Sequence, residues 1–201
     1  MLDLGGKSIM LNKGTVEEFW VAKLLESGGV DPKTVKFLPI SSSQEGVAAL
    51  KTKRATGIWG GGQTVKALQE IEGVKAIADL KSINAQTVNM FLSTQKFLQE
   101  NKETVVKYVK ALDEIVTFIK TKPEKTAEIV EKKANMPKEQ VLINLQRNDM
   151  SLEFNQDTID ALDAIYQWGR EAGFIKNAFD TRDYVNVDAL RDAFPERVNY
   201  K

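Results

Sequence analysis

The stretch Gly6-Lys7-Ser8-Ile9-Met10-Leu11-Asn12-Lys13-Gly14-Thr15-Val16-Glu17-Glu18-Phe19-Trp20 decides how the rest of the chain is read. Ile9, Met10 and Leu11 are a short apolar run suited to a buried strand. Lys13-Gly14 forms a tight loop, and Thr15 opens a helix. Thr15 and Glu18 have capping-box spacing: the Thr hydroxyl can take the N–H three residues on, and the Glu can reach back to the cap. Gly14 has no Cβ, so a ligand can approach the backbone where the first helical N–H groups point. Two readings of this turn stand side by side: an anion seat, or an ordinary helix cap with nothing bound.

Composition narrows the function classes. With 201 residues and 42% apolar content, the chain can bury one or two small cores. Its 28 basic and 28 acidic residues cancel, leaving no excess of positive charge for a nucleic acid. It holds no cysteine and no histidine, which excludes disulfides, thiolate nucleophiles, Cys/His zinc sites and imidazole bases. The opening Met-Leu-Asp-Leu-Gly-Gly-Lys has neither the basic nor the apolar region of a signal peptide. No apolar run approaches the ~20 residues that cross a bilayer.

Outward from the opening stretch, strand and helix alternate over residues 8–79. Strands are expected at 8–11, 35–40, 56–59 and 74–78. Gly28-Gly29 stop the first helix, Asp31-Pro32 turn the chain, and Ser41-Ser42-Ser43 supply the next cap. Such alternation predicts a mostly parallel sheet, with ligands beyond the carboxyl ends of its strands. The loops there are 12–15, 41–43 and 59–62. Residues 86–92 read as one more extended segment. Beyond them the pattern turns helical. Thr94 or Thr104 caps a helix to about Lys120, with Val105, Val109, Leu112, Val116 and Ile119 as its core stripe. Pro123, Pro137 and Asn155 open further helices, Gly173 ends the last of these, and Asp188 caps a final short one. Trp20 and Trp168 are expected in the core.

The segments resemble, in order, those of periplasmic substrate-binding proteins of ABC transporters. The nearest type is the NMT1/THI5-like group that takes sulfonates, taurine, nitrate and thiamine-precursor pyrimidines. Leu4-Gly-Gly-Lys-Ser-Ile9 with Lys13-Gly-Thr15 is similar to the strand and ligand loop of that family. Gly29-Val-Asp-Pro-Lys-Thr-Val35, Ala48-Ala-Leu-Lys51 through Ile58-Trp59, Asn89-Met-Phe-Leu92, Phe97-Leu-Gln-Glu-Asn101 and Gly173-Phe-Ile-Lys176 continue the match. The resemblance implies an α/β fold: a type II periplasmic-binding-protein-like lobe followed by an all-helical C-terminal segment. It places residues 1–90 in lobe two and residues 91–201 in the returning helices that complete lobe one. On this reading the chain is truncated, lacking the N-terminal part of lobe one.

The resemblance also implies a function: a solute receptor for an ABC importer, exported to the periplasm or cell exterior, with a small solute and a membrane permease as partners. No catalysis, cofactor, metal or nucleic acid is expected. The alternative is a truncated lobe that self-associates, swaps domains or binds a partner without a working cleft. Candidate ligand contacts are Gly14 and Thr15, whose loop meets an anionic group in the family, and Trp59, whose ring can wall a pocket. Gly60 can bring backbone close to a ligand, although Gly60-Gly61-Gly62 lacks the Lys-Ser/Thr ending of a P-loop. Ser41 can donate to an oxyanion or belong to a helix cap. Asn89 and Gln86 stand near the expected return crossing. Residues 180–188 are acidic, but Arg182 and the lack of glycine spoil a calcium loop. Glu17 and Glu18 are neighbours on a helix, about 100° apart, so they cannot share one substrate.

Overall fold

A computed structural model describes residues 2–61, 63–83, 85, 88–148 and 150–200, except for the side chains of Leu2, Ser43, Gln63 and Arg147. The chain forms two compact units: residues 1–86 with 164–177, and residues 87–163 with 178–201. The sequence suggested a single crossing near residue 90, whereas the first unit recovers 14 residues from the C-terminal half.

The first unit is built on a parallel three-stranded sheet. β1 (Ser8–Leu11) lies between β2 (Lys36–Pro39) and β3 (Gly57–Ile58). Ser8 pairs with Lys36 and Leu11 with Pro39, while Ile9 and Met10 pair with Gly57 and Ile58. Because β1 is central, both its faces are covered, and its side chains are apolar in succession rather than alternating. Met10 is 1% exposed and Leu11 fully buried. Helix α1 (Val16–Ser27) joins β1 to β2, and α2 (Ser43–Lys51) joins β2 to β3. Leu11, Val21 and Leu25 pack on one face of the sheet; Met10, Ala49 and Ala55 pack on the other. α3 (Gln63–Gln69) follows β3.

A fourth strand does not form. Residues 74–79 are irregular and Ile77 is 54% exposed. β3 supplies only two paired residues, so the sheet offers no ladder edge to hold a neighbour, and β-propensity without a partner does not make a strand. The described part of the expected 86–92 segment, residues 88–92, is likewise irregular; Gln86 and Thr87 lie outside the described residues.

The second unit is mainly helical: α4 (Gln95–Glu100), α5 (Lys102–Thr121), α6 (Pro123–Ala134), α7 (Lys138–Arg147), the first half of α8 (Gln156–Glu171) and α9 (Asp188–Ala193). Thr94, not Thr104, is the first cap; its hydroxyl accepts the Phe97 N–H at 3.1 Å. Asn155 caps α8 by accepting the Thr158 N–H at 3.0 Å. Asp188 is the first residue of α9 rather than its cap; Asn186 accepts the Asp188 N–H at 3.0 Å. A short parallel pair, β4 (Phe154–Asn155) with β5 (Val198–Asn199), adds a strand element to this helical unit. It sits over a cluster of Phe154, Ile159 and Val187. The α5 stripe takes helical spacing and is half-buried rather than fully buried. Trp20 and Trp168 are half-buried rather than core residues. Trp168 meets Phe19 edge-on at 5.7 Å and Phe174 at 5.3 Å within the first unit.

Candidate functional site

The strand order β2-β1-β3 puts a reversal at β1. The chain leaves β1 for one neighbour and later returns to the other side. Loops diverge at the carboxyl ends of such strands and leave a crevice. Here the crevice is a cleft of about 310 Å³. Asn12 and Glu17 line it from beyond β1, Ile40, Ser41 and Ser42 from beyond β2, and Trp59, Gly60, Gly61 and Thr64 from beyond β3. The structure thus brings together Ser41, Trp59 and Gly60 of the residues singled out from sequence.

Gly14 and Thr15 are in the first of these loops but do not line the cleft. Gly14 has φ +77°, the left-handed region that favours glycine. Its N–H donates to the Glu18 carboxylate at 2.8 Å. The capping pattern is therefore shifted from the expected box: Glu18 reaches Gly14, one residue before the cap. The Thr15 hydroxyl accepts the Glu17 N–H at 3.2 Å, two residues on, and donates to the Asn12 carbonyl at 2.7 Å. Asn89 is exposed and belongs to the second unit. Gly62 and Gln86 lie outside the described residues.

Sequence reasoning passed over Asn12, Glu17 and Thr64 as site residues, and weighed Ser42 only with Ser41 and Ser43 as oxyanion donors or a helix cap. Glu17 was weighed only as a neighbour of Glu18. Its partner is instead five residues back: the Asn12 N–H and Nδ2 both donate to its carboxylate at 2.9 Å. The signal was an Asn at the end of a strand and a carboxylate in the first turn of the next helix, which together can brace a strand-to-helix loop.

Three helices, α1, α2 and α3, begin around the cleft. Carboxylates answer each of the first two helix starts. At α2, the Ser42 hydroxyl accepts the Glu45 N–H at 3.2 Å, and the Glu45 carboxylate accepts the Ser41 N–H at 2.9 Å. The Ser41 N–H, and then Arg54 at 2.9 Å, hold the Glu45 carboxyl below the usual carboxylate range. No lysine or arginine lines the cleft among the described residues. Trp59 forms an aromatic wall, braced from behind by Trp20 with ring centroids 6.1 Å apart. The lining therefore offers hydroxyls, an amide, the Glu17 carboxylate and a flat ring. It contains no imidazole or thiol, and no group of metal-ligating side chains occurs among the described residues.

Comparison with known proteins agrees with this architecture. The solved structure of the periplasmic aliphatic sulphonate binding protein SsuA from Escherichia coli superposes with a TM-score of 0.76 at 15% identity, covering 92% of this chain and 60% of that one. The alkanesulfonate-binding protein SsuA from Xanthomonas axonopodis pv. citri, solved bound to MOPS, gives a TM-score of 0.76 at 16% identity, covering 92% of this chain and 64% of that one. The α/β periplasmic-binding-protein-like fold is thereby shared. A Brachyspira hyodysenteriae protein assigned as an ABC transporter periplasmic binding protein is 26% identical over 125 residues, 62% of this chain. The chain spans 36% of that curated relative's length. A family model described as NMT1/THI5 like matches residues 1–126, well over half of the sequence, and the chain belongs to the NMT1/THI5-like family.

Proposed function

We propose that this chain acts as the solute-binding component of an ABC-type import system, holding a small polar organic solute of the sulfonate type without chemistry. One observation carries the reading. The carboxyl ends of three parallel strands and the starts of three helices meet at one cleft, walled by Trp59 and lined by Ser41, Ser42 and Thr64. Hydroxyls and helix N-termini suit an oxyanion, and an aromatic face suits the attached carbon skeleton. Family membership supports the same reading, as does the binding named for the SsuA proteins. On this reading the first unit is lobe two, the second belongs to lobe one, the working location is periplasmic or extracellular, and the macromolecular partner is a membrane permease. No described helix is long and apolar enough to cross a membrane.

The test is a thermal-shift screen with alkanesulfonates, nitrate and pyrimidines, followed by calorimetry on the hit. A true ligand at 100 times its Kd adds about 2.7 kcal/mol to stability. Trp59→Ala should remove the shift. A screen with no shift, or a shift indifferent to Trp59→Ala, defeats the proposal.

A second reading, a self-associating or partner-binding module, draws on Met90, Phe91 and Leu92 in the second unit, which are 49%, 68% and 91% exposed. Concentration-dependent sedimentation together with a silent ligand screen would favour it.

A further inference from the structure

We infer that the outward face of α5 is a surface for a second copy of this chain: two α5 helices pack antiparallel about a two-fold axis, with Lys107 of one copy facing Glu114 of the other. The inference goes beyond the solute-binding role and stands whether or not the cleft is occupied.

α5 carries two apolar rows. Val105, Val109, Leu112, Val116 and Ile119 form the half-buried one. Beside it, Tyr108, Ala111, Ile115 and Phe118 repeat the 3/4 spacing of a single helix face. The first three are exposed, Tyr108 by 49% and Ile115 by 54%. Phe91 meets Tyr108 edge-on at 5.6 Å and is itself 68% exposed, which widens the patch. A continuous apolar row on an exposed helix face is a seam along which helices pair.

The charges beside this row select the occupant. Lys107 and Glu114 immediately precede Tyr108 and Ile115, so they flank the row on one side, one heptad apart. Both are exposed, and neither has an ion-pair partner among the described residues. On the same helix Lys102 pairs with Asp192 and Asp113 with Arg197. Glu103 and Lys110 lie about 50° further round the helix, away from the row. A two-fold axis crossing α5 between Tyr108 and Ala111 reverses the order of the flank in the second copy. Each Lys107 then meets a Glu114, and the pair forms twice. The same register sets the Tyr108 ring against the small Ala111 side chain of the other copy. The 28 basic and 28 acidic residues leave no net charge to hold copies apart.

The experiment is sedimentation equilibrium of the 201-residue chain from low micromolar to near-millimolar concentration. The expected result is a monomer–dimer equilibrium that salt shifts toward monomer. Ile115→Glu should abolish the dimer. Lys107→Glu and Glu114→Lys should each weaken it roughly tenfold, because either reversal sets like charges together twice. The double reversal should restore most of the loss. That rescue is the readout, since a variant that merely folds or dissolves poorly is not repaired by a second charge change; circular dichroism checks that each variant is folded. A monomer throughout, an assembly other than a dimer, a dimer indifferent to Ile115→Glu, or a double reversal no tighter than the single ones overturns the inference. A dimer that survives Ile115→Glu but is lost with Leu92→Glu puts the contact on the 90–92 segment and overturns it as well. The cleft belongs to the first unit, and the thermal-shift screen reads its role independently of all these outcomes.

Discussion

The two units spend apolar residues differently. In the first, a central parallel strand takes cover on both faces, and Leu11 and Leu25 lie at 0% and 1% exposure. In the second, the 20-residue α5 leaves its stripe of Val105, Val109, Leu112, Val116 and Ile119 half-buried, and Tyr108 and Ile115 on it are 49% and 54% exposed. Among its described residues Ala127 on α6 and Ile159, in the Phe154–Val187 cluster beneath the β4–β5 pair, are fully buried. A correctly spaced stripe is enough to fold a helix and give it a sticky side. Depth of burial requires a second layer on that side. The candidate cleft belongs to the unit that has such layers, where the loops are held by strands that cannot shift register without exposing a core.

The contrast can be broken most directly in the cores. Leu11→Ala and Ile159→Ala should each cost about 3 kcal/mol by denaturant titration, with Ile115→Ala below about 0.5 kcal/mol. An Ile115→Ala cost equal to the other two would mean that α5 is a core helix and the distinction is false. Gly46→Val comes next. A Cβ there would stand 2.0 Å from Ile58 Cδ1 and 2.7 Å from Ile40 Cδ1. Overpacking between α2 and the sheet should cost about 1–3 kcal/mol; a neutral effect would mean the first unit is packed as loosely as the second.

Smaller effects sharpen the comparison at the helix ends. Gly14→Ala, at φ +77°, and Thr94→Ala, which deletes the α4 cap, should each cost about 1 kcal/mol. Equal losses, read from urea midpoints, would show that local backbone chemistry is uniform across the two units and only burial differs. The smallest effect is electrostatic. The Glu45 carboxyl is held low by the Ser41 N–H and Arg54. Its contribution is therefore present above its unfolded pKa and lost as pH falls through the lowered folded value. Glu45→Gln should flatten that acid limb of a stability–pH profile. An unchanged limb would place the acid sensitivity elsewhere.

Much of this was legible in the residues. The run Ile9–Leu11 identified a buried strand because a strand covered on both faces is apolar without alternation. Pro123, Asn155 and Gly173 marked helix ends through fixed φ, a side-chain acceptor and a left-handed turn, all local properties. That Trp59, Gly60 and Ser41 stand together at the strand ends was legible because strand–helix alternation already says where loops gather. Val74–Ala78 misled because a β-prone segment carries no information about whether an edge waits for it. Asn12 and Glu17 went unseen because their pairing spans a turn whose shape is set by Gly14.

Sequence alone determined the strand-helix alternation, the family resemblance, and the lack of thiol and imidazole groups in these 201 residues; these follow from periodicity, ordered motifs and composition. The tertiary structure decided the order β2-β1-β3, the return of residues 164–177 to the first unit, and the exposure of one unneutralised carboxylate to the cleft. Those depend on which surfaces meet across long stretches of chain, and no local pattern encodes which partner a face or a charge will find.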